Sequence, residues 1–165
     1  NVIEVGGGEF LKWREKFLRT LQQAYAKAPF RSEVIELVAD VLKEDRNSLA
    51  DLLRRSLQAV IDRLSINIDL VPTSSVYGNS ELSGTERVLD ICAREGADVY
   101  VNAIGGKDLY ARDQFAERDV ELCFLRSKPL QFSSFDQVQG LSIMDLMMWN
   151  SPVHISEYLE QYDLV

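Results

Sequence analysis

The residues best suited to chemistry lie together in the stretch Asn102-Ala103-Ile104-Gly105-Gly106-Lys107-Asp108-Leu109-Tyr110. Two adjacent glycines let a backbone approach a ligand closely, and Lys107 beside them adds a full positive charge. A helix expected just behind them would add free N–H groups carrying partial positive charge, so the combination suits a phosphate or a carboxylate. The spacing is not that of a nucleotide P-loop. No glycine stands five residues before the Gly106-Lys107 pair, and Asp108 fills the place of the usual Ser or Thr. It is not a dinucleotide fingerprint either. Taken by itself, Gly105-Gly106 is also an ordinary tight turn.

Other reactive side chains are scattered. His154 is the single histidine and falls in the first turn of the last predicted helix; with no cysteine pair beside it, no zinc site is legible. Ser74 follows an apolar run but lacks the context of a nucleophile elbow, so it reads as a turn former or ligand contact. Asp145 follows Ser142, a residue able to cap its helix, and is both a natural partner for that helix dipole and the one nearby acid available as a general base. Glu36 with Asp40, and Asp51 with Arg55, read as solvated helix faces. Cys92 and Cys123 sit in apolar patterns and read as reduced core thiols of a cytoplasmic protein.

The elements that must position these residues follow from periodicity. Phe10, Trp13, Phe17, Leu21 and Tyr25 recur at helical steps up to a stop at Pro29. A second helix is predicted from a Ser32 cap and a third from Asn47 or Ser48. Then the pattern changes. Ile66 to Val71 reads as a strand ended by Pro72, Ser83-Gly84-Thr85-Glu86 as a capping box, and Gly96 as the stop of the helix it opens. Val99–Ala103 and Val120–Leu125 read as two more strands around a short helix near Leu109 to Ala116. A helix through Ile143, Leu146 and Met147 follows, and Ser151-Pro152 opens the last one. Strand, helix, strand, helix, strand predicts an α/β fold: a short parallel sheet with flanking helices, preceded by a three-helix N-terminal stretch that would cover a face of the sheet.

In such a sheet ligands gather beyond the carboxyl ends of the strands. The rim would then carry Thr73, Ser74 and Ser75 after the first strand, and Asn102, Gly105, Gly106, Lys107 and Tyr110 after the second. Arg126, Lys128 and Gln131 would follow the third.

Bulk properties narrow the classes. The chain has 165 residues, 46% apolar and 27% charged, as expected of a single α/β domain spanning 1–165. A net charge of -8 argues against a nucleic-acid backbone as partner but leaves room for an anionic small molecule on a local patch. No apolar run approaches the roughly 18 residues of a membrane span, and no signal peptide is visible. Asn1-Val2-Ile3-Glu4-Val5 reads as a strand that begins abruptly without an initiator methionine, which predicts the C-terminal part of a longer chain.

Several stretches, in this order, resemble the WbqC-like family of bacterial proteins. They are Val2–Val5, Tyr25-Ala26-Lys27-Ala28-Pro29-Phe30, Ser74-Ser75, Tyr100 through Tyr110 with Phe115, and Gly140-Leu141-Ser142-Ile143-Met144-Asp145. The resemblance implies a preceding segment with a His-Gln-Pro motif. It also implies a role in O-antigen and other surface polysaccharide synthesis, with acyl or aminoacyl transfer to a nucleotide-activated amino sugar. One departure stands out: Pro129-Leu130-Gln131 has no tyrosine ahead of the glutamine, so no role can be given to that tyrosine.

Two classes of function therefore compete. In a transferase, Gly105, Gly106 and Lys107 would hold phosphate, Ser74 and Asn102 would bond the sugar or base, Tyr110 would line the pocket, and Asp145 would act as base. In a binding or assembly protein the same rim would hold an intermediate without turnover. A nucleotidyltransferase-like activity would rest on fold analogy alone. No cofactor is named by these residues.

Overall fold

The structure, a computed structural model, describes residues 7–43, 48–129 and 140–165. The predicted strand Asn1–Val5, the alternative cap Asn47 and the rim residue Gln131 lie outside the described residues. Contacts divide the chain into two compact units, residues 1–70 with 132–159 and residues 71–131 with 160–165.

The first unit is helical. Helix α1 (Gly7–Ala24) carries the predicted apolar stripe: Phe10 stacks on Trp13 at 5.6 Å, Trp13 on Phe17 at 5.2 Å, and Leu21 is buried. Helix α2 (Arg31–Val41) buries Val34 and Val38. It starts one residue before the predicted Ser32 cap, with Phe30 at the cap position and no side-chain bond there. Helix α3 (Leu49–Leu64) begins as read, the Ser48 hydroxyl accepting from the Asp51 N–H at 3.1 Å. Both α1 and α3 pack on α2. Helices α6 (Ile143–Trp149) and α7 (Pro152–Leu159) complete the unit through Leu146, Met147, Met148 and Ile155, with Pro152 in the first helical position as expected.

The second unit holds the sheet. Helix α4 (Gly84–Glu95) closes on Gly96, whose left-handed φ of 63° suits glycine. Its predicted capping box is not formed. Ser83 makes no side-chain cap bond, and the Glu86 carboxylate is drawn instead to the Arg118 guanidinium at 3.5 Å. Strand β1 (Val99–Ala103) then pairs in parallel with β2 (Glu121–Ser127), from Val99 opposite Glu121 to Ala103 opposite Leu125. Between them run a 3-10 helix (Ile104–Leu109) and the short helix α5 (Arg112–Ala116). The chain ends in β3 (Tyr162–Leu164), antiparallel to β2. Leu89, Cys92, Phe115, Val120, Leu122 and Phe124 form one core cluster, with Tyr100 and Tyr110 packed against it.

One predicted strand is corrected. Ile66–Val71 joins no sheet among the described residues: it is an extended segment with Ile68 53% exposed and Val71 open as well. Alternation makes a segment extended, but a strand also needs a neighbour to pair with. The α/β class stands, and the sheet is mixed: one parallel pair, plus an antiparallel strand that the sequence pattern missed.

Candidate functional site

The parallel pair β1–β2 places the middle group where the topology rule expects it. Asn102 is the penultimate residue of β1, and the 3-10 helix that follows packs against both strands. The Asn102 Oδ1 accepts from the Ala103 N–H at 2.8 Å, which fixes its amide. That amide lies over Gly106: a Cβ added there would stand 2.7 Å from Asn102 Nδ2 and 3.2 Å from Cγ. Any side chain at position 106 would therefore have to displace the Asn102 amide. Gly105 differs, since a Cβ on it would meet nothing within 4 Å and its φ is not left-handed. Lys107 is exposed and enters none of the described ion pairs.

Tyr110 is part of the frame behind this rim. It meets Tyr100 edge-on at 5.8 Å and Phe115 at 5.7 Å, while Tyr100 stacks on Phe115 at 5.4 Å. Burial, then the bond to Tyr110, pushes the Tyr100 phenol up to about 12.

Ser74 and Ser75 are not at the end of a strand. They begin a 3-10 turn (Ser74–Tyr77) capped by Thr73, whose hydroxyl accepts from the Ser75 N–H. Ser74 Oγ accepts from Arg87 Nη2 at 3.2 Å, and Tyr77 donates to Glu95 at 2.7 Å. Asn79, 1% exposed, locks the segment by donating to Asp90 at 2.6 Å and accepting from Arg87 Nε at 3.1 Å. Sequence reasoning placed Ser74 through the wrong element and missed the Asn79–Arg87–Asp90 network, whose partners carry no local signal.

Asp145 belongs to the helical unit. Its Oδ2 accepts from the Ser142 N–H at 3.0 Å while Ser142 Oγ accepts from the Met144 N–H at 3.0 Å, a capping box at the start of α6. Its Oδ1 accepts from the Tyr25 hydroxyl. Both carboxylate oxygens are therefore engaged, and the bond joins two of the stretches that carried the family resemblance. Burial, with the Asp145 bond and charge added, pushes Tyr25 up to about 12. Because this exceeds the ordinary value of 10.0, the neutral phenol favours the folded state fully below pH 10 and loses that effect as pH rises toward 12. In an alkaline titration of tyrosinate absorbance, Tyr25→Phe is expected to remove a late-ionising phenol and leave the early ones unchanged.

The helical unit also carries an open apolar groove of about 300 Å³ between α1, α2, α3 and α6, lined by Phe17, Val41, Leu53, Val60 and Met144 among others. His154 is exposed, and only its backbone N–H is described in a bond, to Ser151 Oγ. Among the described residues no group of His, Cys, Asp and Glu could hold a metal, and no helix is long and apolar enough to cross a membrane.

Comparison with curated proteins and with solved structures returned no match. The model of the WbqC-like protein family matches residues 6–157, nearly the whole chain, and the chain belongs to that family.

Proposed function

We propose that the chain binds a nucleotide-activated amino sugar by its phosphates at the carboxyl rim of β1 and β2, and acts in surface polysaccharide synthesis by transferring an acyl or aminoacyl group to that sugar. The observation that carries the binding half is the Asn102 amide seated on Gly106 beside the exposed charge of Lys107, beyond a parallel strand pair. Asn102 supplies an N–H donor with a fixed aim, and Lys107 a point charge for phosphate oxygens. Ser74, held by Arg87, is a candidate for the sugar hydroxyls. The transfer half rests on what family resemblance implies.

The test is thermal unfolding of the chain with nucleotides, nucleotide sugars and free amino sugars. A ligand at a hundred times its dissociation constant should add about 2.7 kcal/mol, a clear rise in melting temperature. Stabilisation by nucleotide sugars is expected, with most of it lost in Lys107→Ala. A second reading, a non-catalytic assembly protein, is favoured by open apolar side chains on the helical unit: Trp13 at 48%, Leu53 at 56% and Leu57 at 57% exposure. No shift with any of these ligands would remove the first reading and leave the second.

A further inference from the structure

The strand register carries the rim one residue further. Asn102 stands opposite Phe124, and Phe124 is buried with Leu122 in the core cluster. Side chains alternate along a strand, so Arg126 projects from the same face as Phe124, past the point where β1 stops at Ala103. The apolar face of the pair thus ends in two polar side chains, Asn102 and Arg126. The 3-10 helix packed on both strands brings Lys107 to that same end.

The cross-strand neighbour of Arg126 is Asp163. That carboxylate is already engaged, however, by Lys128 Nζ at 2.8 Å. Arg126 is exposed, and none of the described ion pairs or side-chain hydrogen bonds includes it. In a chain of net charge -8, a guanidinium left open beside a core edge is a ready anion ligand. Its planar fork grips two phosphate oxygens at once, where lysine offers only a point charge. A single carboxylate or phosphate needs one cation; two linked phosphates make use of both.

Resting on the reading of this rim as an anion site, we propose that Arg126 is its second cation and that the group held there is a diphosphate. Calorimetric titration of the chain with pyrophosphate and with orthophosphate at low salt tests this. The wild type is expected to prefer pyrophosphate by about tenfold, and Arg126→Gln to lose that preference while still binding orthophosphate. Arg118→Gln makes the same charge change where the guanidinium is paired with Glu86, and should leave the preference intact. Equal binding of both anions, or a preference that survives Arg126→Gln, overturns the diphosphate assignment and leaves the rim reading standing. Failure of the wild type to bind either anion overturns both.

Discussion

Phe115→Ala is expected to lower the unfolding free energy by about 3–5 kcal/mol, the cost of emptying a well-packed aromatic site. Phe115 is wholly buried in the core cluster and touches the rings of both Tyr100 and Tyr110. Removing it deletes apolar contact and leaves a cavity that two rigid phenols cannot collapse to fill. For a chain of this size each kcal/mol moves the melting temperature by roughly 2–4 °C, so a fall on the order of 10 °C should be seen. Phe115→Leu, which keeps much of the volume, should cost less than half as much. The same change should weaken anion binding, because Tyr110 follows the rim segment directly. Urea unfolding followed by circular dichroism measures the first effect, and an unchanged midpoint would contradict this packing of Phe115.

Much of this arrangement was legible where a local pattern had a local cause. Val99–Ala103 is mostly apolar, follows a glycine stop and forms β1 with the predicted limits. Ser48, Ser142, Gly96 and Pro152 end or begin helices as their chemistry dictates. What failed depended on distant partners. Ile66–Val71 has the alternation of a strand, but pattern cannot supply a neighbour. Glu86 has the spacing of a capping box, yet Arg118 offers it a full charge. Strand β3 is three residues long, too short for a period to show.

The site was legible in the same uneven way. Residue types and topology led to Asn102, Gly105, Gly106 and Lys107, and β1 and β2 are indeed parallel neighbours. Ser74 was tied to a strand end that does not form; a guanidinium on α4 holds it instead. The bond between Tyr25 and Asp145 joins residues 120 positions apart, which no spacing rule reaches. Sequence also treated the two glycines as one feature, and the structure separates them.

That separation predicts opposite results for one methyl group. Gly105→Ala is expected to be neutral or to stabilise by about 0.4–1 kcal/mol, since the new Cβ meets nothing and the unfolded chain loses freedom. Gly106→Ala sets a Cβ 2.7 Å from Asn102 Nδ2, closer than atoms tolerate. The amide is the far end of a side chain and can swing away, so the fold should survive. Swinging breaks the bond from the Ala103 N–H to Oδ1, a loss of about 1 kcal/mol. The larger effect is on the ligand: Asn102 no longer aims its donor at the rim, and affinity for a nucleotide sugar should fall at least about tenfold, or about 1.4 kcal/mol. Melting curves and titrations of the two variants side by side measure both effects. If Gly105→Ala proves the more damaging to binding, the ligand approaches the backbone at Gly105, and the Asn102 amide is a structural prop.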